Sequence, residues 1–459
     1  MRTGPLARQG LLQLAAAALL FTANSYSLSL PSLDDCFYAR KGVEMARSGN
    51  WLTVTWNGLP TFQNPALPVW ILASSFRLFG ENDLAARLPS IVMALGVLVG
   101  VLAVGRRLWG ESESLTAGAL LLLTPFFANH ARRAMFDMAL ALWVLLAMSI
   151  LLIPDEISTR KAWLSLPLGA GILTKSVLGL LPLLVLAVAA LVSHGVRRWL
   201  RNPWLWAGVI LGLALGAVWP LHQWLTHGSR FLQQHFVTEI AARSMAGFNP
   251  SRVLLGYPAA LLGSYQPVIL LALAAIPSLV RRDSGPGGRL IVVWVVAPAL
   301  LYSLSSAQSP RYLFPTLPAM ALAAGYWLQR RYPGVAAWVR RSAPPVALAA
   351  AAVFWTAPTM LARSGNDSLK FGSAIRDTVP AGASLPYLGG RYWGFANPIL
   401  YYQERLLEAP SPSAETAVAA ARARQGVLLV DRDRLPEVEA TARIAVMAAS
   451  GDWVLARVL

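Results

Sequence analysis

The stretch PSLDDCFYARKGVEMARSGNWLTVTWNGLPTFQNPALPVW, residues 31–70, is a polar, aromatic, proline-marked island directly after the first apolar run of the chain. How it meets a membrane decides the fold. Asp34 and Asp35 sit at the mouth of that apolar run, where an ionisable group is costly unless it has a partner or a task. Residues 65–79, which begin at the island's far end, are apolar but short of the roughly 20 residues that a crossing helix needs. Counting them as a span would put Arg106 and Arg107 outside and invert every later segment, against the enrichment of Lys and Arg in cytoplasmic loops. Read as an interfacial helix, together with an amphipathic, surface-lying helix over 38–48, they leave residues 31–83 as one long first external loop.

Composition agrees with a membrane setting. Of 459 residues, 56% are hydrophobic and 13% charged, and the mean hydropathy is +0.51, whereas soluble domains carry about 25% charged residues. Apolar runs lie near 9–30, 84–104, 112–128, 136–153, 162–176, 177–193, 203–225, 252–280, 289–306, 312–329 and 343–361, about eleven spans. With Arg2 and Arg8 cytoplasmic, the clusters Arg106-Arg107, Arg160-Lys161, Arg197-Arg198-Arg201, Arg281-Arg282 and Arg330-Arg331 all fall on the cytoplasmic side. The expected fold class is a polytopic α-helical membrane protein, residues 1–364. From about Gly365 the apolar runs shorten, and GASLPYLG, GVLLVDRD and DWVLARVL read as strands around a helix at 412–424. Residues 365–459 are therefore expected to form a small soluble α/β domain, external because the number of spans is odd.

The net charge of +17 would point to nucleic acid on a soluble chain. Here it lies in short clusters between apolar runs and sets topology, so no nucleic-acid partner is expected. The single cysteine, Cys36, excludes an intrachain disulfide and a Cys-cluster metal site. The first apolar run lacks a small-residue cleavage site and reads as a retained span. No cofactor is predicted, with a divalent metal left open.

Three carboxylates are placed to do chemistry on the outer side: Asp34 and Asp35 after the first span, and Asp137 opening the fourth after ANHARRAMF. They can converge on one face of the membrane, where a carboxylate serves as a general base or holds a metal. The competing reading makes Asp137 a helix cap. Asp35 is the weaker of its pair, since adjacent helical residues point apart. Arg40, Lys41, Arg47, Arg132, Arg133, Lys175, Arg230, Arg243, Arg252 and Arg311 also fall outside, where few cations are expected. A phosphate at the membrane surface explains them, with snorkelling to headgroups the alternative for Arg40, Lys41 and Arg230. Lys175, in the near-apolar run GAGILTKSVLGLLP, sits at a break between two short helices and calls for a bound anion or a carboxylate partner. Tyr38, Trp51 and Trp56 are candidates for stacking on a sugar ring, and His222, His227 and His235 form either a loose metal site or packed and solvated rings.

DDCFYARKGVEMARSGNWLTVTWNGLPTFQNPALPVW, ENDLAARLPS, GRRLWG, ARRAMFDMALAL, GILTKSVLGLLP and SPRYLFPTLPAMALAAG follow one another over roughly residues 9–330. In that order they resemble the landmarks of polyprenyl-phosphate-sugar-dependent glycosyltransferases of the type C fold, the relatives of protein O-mannosyltransferases and lipid A aminoarabinose transferases. The resemblance implies a bacterial inner-membrane enzyme that takes a sugar from a polyprenyl (undecaprenyl) phosphate carrier and attaches it to a lipid, glycan or protein acceptor on the outer face. It implies catalysis by Asp34, with Asp35 beside it and Asp137 as the second external carboxylate. Lys175 and Arg311 become donor-phosphate contacts, and Tyr312 a sugar contact. Where aminoarabinose transferases carry a Glu-Lys pair before a double proline, this chain has Gln63-Asn64-Pro65-Ala66. A metal or phosphate contact of that kind is thus not carried over, nor with it the aminoarabinose substrate, and Lys41 or Arg133 is the candidate replacement.

The expected mechanism is a metal-independent single displacement. Asp34, with Asp137, takes or orients the acceptor's proton, while Lys175, Arg311 and Arg243 neutralise the departing polyprenyl phosphate, the larger electrostatic task. The rivals are a lipid-linked sugar flippase, which would normally show repeated halves, and a ligase joining a glycan to a lipid or polymer.

Overall fold

The computed structural model describes residues 5–26, 28–30, 33–153, 158–242, 250–281, 285–304, 308–356, 374–390, 397, 400–402 and 404–459. In chain order the helices up to the middle of the molecule are α1 (Pro5–Thr22), α2 (Leu33–Ser48), α3 (Leu67–Phe79), α4 (Asp83–Leu108), α5 (Glu111–Leu122), α6 (Pro125–Ala131), α7 (Asp137–Leu151), α8 (Ser165–Lys175), α9 (Leu181–Val192), α10 (His194–Trp199) and α11 (Pro203–Leu232). The chain divides into two compact units. One comprises Met1–Ser25, Thr61–Pro68 and Arg87–Thr356; the other comprises Tyr26–Pro60, Val69–Ala86 and Ala357–Leu459.

The first unit is a bundle of apolar helices. Among the described residues, Asp83–Leu108, Thr159–Val192, Pro203–Ala241 and Gly285–Ser303 are long and apolar enough to cross a bilayer, and a fifth span results if Gly256–Ser264 and Val268–Val280 count as one. The chain is thus a multi-pass helical membrane protein. The expected runs at 9–30, 112–128, 136–153 and 312–329 also hold helix, in shorter pieces, and the described part of 343–361 lies in the 24-residue helix Pro333–Thr356. Residues 252–280, expected as one run, are two helices bent by 111°. Pro267, at the break, has no N–H to continue the ladder and disfavours helical backbone in the residue before it. Beyond residue 225, where the expected apolar run ends, α11 continues to Leu232. The axis kinks at Gly228 (φ 54°, ψ −131°), and a π-helical stretch, Gln233–Ala242, follows.

Small residues set the closest helix contacts, as they do where apolar driving force between helices is weak. Gly208, Gly212 and Gly216 form an i, i+4 stripe on α11 against the segment from Lys161 to Ile172. A Cβ on Gly208 would lie 2.7 Å from the Lys161 carbonyl oxygen, and one on Gly216 2.7 Å from Ile172 Cβ. Two buried arginines in this unit are satisfied by carbonyls. Arg132 donates to the Leu20 and Ala23 carbonyls and lies 3.8 Å from the centre of the Phe354 ring, while Arg87 donates to the Arg132 and Ser25 carbonyls at 3.0 and 2.6 Å. That accounts for Arg132, one of the cations for which the sequence suggested a phosphate, as an architectural residue.

The second unit is built around α2, which begins at Leu33 and carries Asp34 and Asp35 in its first turn. It is not the surface-lying helix expected over 38–48, because most of its side chains from Asp35 to Met45 are buried. Two features allow this. Gly42 admits α3, since a Cβ there would meet Leu72 and Phe76 at 2.9 Å. The charges are also paired: Arg40 bridges to Glu44 at 2.7 Å and donates to the Leu400 carbonyl at 2.8 Å. The hairpin of β1 (Thr55–Trp56) and β2 (Leu59–Pro60) follows. Further along lie β3 (Ser384–Leu385), β4 (Tyr387–Leu388), β5 (Leu406–Leu407), β6 (Val427–Asp431), β7 (Ile444–Ser450) and β8 (Trp453–Val458). The main sheet has the order β4-β6-β8-β7, parallel only between β4 and β6, and a helix at Ala414–Arg422 falls within the expected 412–424.

Candidate functional site

The first unit holds a charged centre at a helix break. Helix α8 ends at Lys175, and the next residue, Ser176, has φ 45° and ψ −117°, a region that non-glycine residues occupy at a cost of about 1–3 kcal/mol. A 3-10 turn, Ser176–Leu180, then leads into α9. The turn lies flat on α8 because two glycines cross there: a Cβ on Gly179 would sit 2.2 Å from the Gly171 carbonyl carbon.

At that break the Lys175 ammonium donates to Asp137 Oδ1 at 2.7 Å, with the two side chains 14% and 2% exposed. Of the two partners the sequence allowed for Lys175, the structure shows the carboxylate. Asp137 is the first residue of α7, whose cap position is Phe136 with no side-chain capping bond, so the capping reading of Asp137 does not hold. Arg311, in the 3-10 segment Pro310–Thr316, places Nη1 3.9 Å from Met135 Sδ, and its charge acts on both Asp137 and His130.

His130 was passed over by the sequence reading. It ends up buried at the end of α6, its ring 4.2 Å from Phe126 and 4.8 Å from Phe314 between centres. Its Nδ1 lies 2.8 Å from the Phe126 carbonyl oxygen. A carbonyl only accepts, so Nδ1 carries the proton and Nε2 presents a lone pair. Among the described residues, neither His130 Nε2 nor Asp137 Oδ2 has a hydrogen-bond partner. Burial holds the imidazole below its ordinary range, outweighing the pull of the Asp137 charge in the other direction. The available signal was the histidine in ANHARRAMFD, but α6 and α7 are separate helices and sequence spacing does not show that they meet.

Arg133 and Tyr312 belong to the same unit and are half-buried; Arg243 lies outside the described residues. Of His222, His227 and His235, His235 is the packed one. It is 2% exposed and stacks on Phe231 at 5.2 Å, with Nδ1 2.5 Å from the Phe62 carbonyl oxygen and Nε2 2.8 Å from Ser176 Oγ. His227 contacts the Phe62 ring at 5.0 Å, and His222 Nδ1 lies 3.1 Å from Gln223 Nε2. Among the described residues, no group of three or more His, Cys, Asp or Glu is placed to hold a metal ion.

The remaining candidates lie in the second unit. Asp34 is half-buried and Asp35 fully buried, both in the first turn of α2, where the helix dipole favours negative charge. Lys41 is buried with its ammonium 3.8 Å from the Phe37 ring centre and 5.8 Å from that of Tyr38. Trp51 accepts a hydrogen bond from Trp70 through its carbonyl, and the Arg77 guanidinium lies 5.2 Å from its ring centre.

The chain combines a multi-helix membrane unit with a small α/β unit, a fold shared with the Archaeoglobus fulgidus oligosaccharyltransferase at a TM-score of 0.52, 11% identity, and coverage of 92% of this chain and 68% of that one. Residues 63–222 match the dolichyl-phosphate-mannose-protein mannosyltransferase family. The chain is 28% identical over 310 residues to undecaprenyl phosphate-alpha-4-amino-4-deoxy-L-arabinose arabinosyl transferase 1 of Pseudomonas fluorescens, a match covering 65% of this chain and 55% of that protein. It is 29% identical over 329 residues to the corresponding transferase of Pseudomonas savastanoi pv. phaseolicola, covering 69% and 60%. The matches thus span between half and two thirds of the length of these curated relatives. The fold is shared with ArnT from Cupriavidus metallidurans, solved bound to undecaprenyl phosphate, at a TM-score of 0.80, 20% identity and 97% coverage of both chains.

Proposed function

We propose that the chain is an inner-membrane glycosyltransferase that moves a sugar from a polyprenyl phosphate carrier to a lipid, glycan or protein acceptor on the outer face. The observation that carries this reading is the Asp137–Lys175 pair with Arg311 in range. The Lys175 ammonium and the Arg311 guanidinium bring two cationic groups into a largely buried setting, which suits a phosphate leaving group. In this reading the chain crosses the membrane about eleven times, with the N-terminus cytoplasmic and residues 365–459 external.

The acceptor's oxygen or nitrogen attacks the anomeric carbon, the bond from that carbon to the phosphate oxygen breaks, and the polyprenyl phosphate leaves with the electron pair. Lys175 and Arg311 receive that charge, with Arg243, Arg133 and Lys41 as further phosphate contacts. Asp34 takes the acceptor's proton, Asp35 supports it from the same helical turn, and Asp137 holds Lys175. The uncommitted acceptors Asp137 Oδ2 and His130 Nε2 suit hydroxyl or amino hydrogens of the sugar rather than its phosphate. Tyr38, Trp51 and Tyr312 supply aromatic contacts to sugar or acceptor.

The test compares envelope lipids, glycans and secreted proteins by mass spectrometry between cells carrying the wild-type chain and cells carrying Asp34→Asn. The expected result is the loss of one modification with accumulation of a lipid-phosphate sugar, which identifies donor and acceptor together. An unchanged profile under expressing conditions rules the proposal out.

A further inference from the structure

Lys175 is followed by a serine whose backbone sits where glycine is the natural choice, and that serine is tied down. The Phe62 carbonyl can only accept, so the proton of His235 is on Nδ1. Its Nε2 is then an acceptor, and the Ser176 hydroxyl donates to it at 2.8 Å. Phe62 is gripped a second time, its N–H donating to Gln234 Oε1 at 3.2 Å. The imidazole itself has little freedom, stacked on Phe231 with Trp219 at its edge. On the other side of the turn, the crossing of Gly171 and Gly179 leaves no room for movement toward α8.

We propose that His235 is a positioning residue for Lys175: its neutral imidazole holds the Ser176 hydroxyl, keeps the turn after Lys175 in its unusual conformation, and thereby fixes the ammonium on Asp137. A serine in this backbone conformation is disfavoured on its own, so the hydroxyl is the handle that justifies it. The same imidazole joins the Lys175 turn to Phe62, next to Gln63-Asn64, where aminoarabinose transferases carry their Glu-Lys pair. In this chain the residues after Phe62 supply no ammonium, and Lys175 is the cation that the network orients. The consequence for phosphate binding rests on the function proposed above; the positioning itself does not.

The experiment uses the full chain in nanodiscs and reads two quantities, the rate at which Lys175 is acetylated by trace acetic anhydride, followed by mass spectrometry, and the affinity for undecaprenyl phosphate. His235→Phe keeps the stacking but not the hydrogen bonds. Ser176→Ala removes only the hydroxyl, and His235→Gln supplies an amide able to donate to Phe62 and accept from Ser176. Losing one such bond is expected to raise Lys175 acetylation and weaken undecaprenyl phosphate binding by about tenfold in His235→Phe and Ser176→Ala. His235→Gln should stay within about threefold of wild type on the same scale. In a Lys175→Met background, His235→Phe should weaken binding no further, which a general loss of structure would not reproduce. Unchanged acetylation in both His235→Phe and Ser176→Ala overturns the positioning role, as does full additivity with Lys175→Met. Raised acetylation with binding unchanged even in Lys175→Met upholds the positioning and overturns the phosphate assignment instead.

Discussion

Asp137 and Lys175 illustrate how a charge pair is retained inside an apolar bundle. Breaking a buried pair by removing one partner costs about 3–5 kcal/mol, whereas replacing both by apolar residues of similar size is often neutral; part of that cost is relieved here because Lys175 reaches some solvent. Asp137→Asn is therefore expected to lower the melting temperature and to cut sugar transfer at least ~100-fold. The double variant Asp137→Leu/Lys175→Met should regain most of the stability and none of the activity; thermal melting and a transfer assay on the same preparations check both. His130 gives a second prediction. Its folded-state pKa is lowered, so between that value and the unfolded value near 6.5 the unfolded chain binds more protons. Its contribution to stability is full above about pH 6.5 and is lost as pH falls through the window below. The drop in melting temperature from pH 7 to pH 5 should be smaller in His130→Asn than in wild type. At this scale the prominence of Asp137 and Lys175, which the structure pairs, was legible because a charge in an apolar run stands out. His130 and Ser176 were not singled out, and His235 was named only as a packed ring or loose metal ligand, because their roles come from contacts between separate helices.

Helices are where sequence patterning reads best and where its boundaries fail. The run in α11 showed a long apolar helix, but the kink at Gly228 and the π-helical continuation depend on packing rather than on composition. The bend at Pro267 was signalled by the proline, and the expected 252–280 run ignored it. In the second unit, the charges of α2 suggested a wet face; intramolecular partners such as Glu44 and the Leu400 carbonyl made burial affordable. Strand β7 went unread because its alanine-rich stretch, IAVMAAS, has weak strand preference and is held by its pairing with β8. The glycine stripe of α11 yields the prediction for this scale. Gly208→Val forces a side chain toward the Lys161 and Ala162 carbonyls and should destabilise by about 1–3 kcal/mol or more. Gly263→Ala, which meets nothing within 4 Å, should stay within about 1 kcal/mol of wild type or exceed it. Detergent-solubilised melting curves distinguish them.

At the scale of the molecule, the multi-pass helical membrane class was legible from hydropathy, and the fold shared with ArnT from Cupriavidus metallidurans agrees with it. The grouping of residues 26–60 and 69–86 with the tail into one unit was not legible, since it depends on contacts as distant in sequence as Trp56 with Asn397 and Tyr402 with Asp83. Topology is checked by labelling. In a Cys36→Ser background, Glu439→Cys on the tail should react with a membrane-impermeant maleimide in intact spheroplasts. Arg201→Cys, in the basic loop after α10, should react only after lysis. The measurement that bears most directly on the central claim is the release of undecaprenyl phosphate from undecaprenyl-phosphate-linked sugars by the purified chain, with membrane lipids and envelope glycans offered as acceptors. The account predicts acceptor-dependent release by the wild-type chain, reduced at least ~100-fold in Asp34→Asn and in Asp137→Asn. No release with any donor and acceptor, or release at the wild-type rate in both variants, would contradict it.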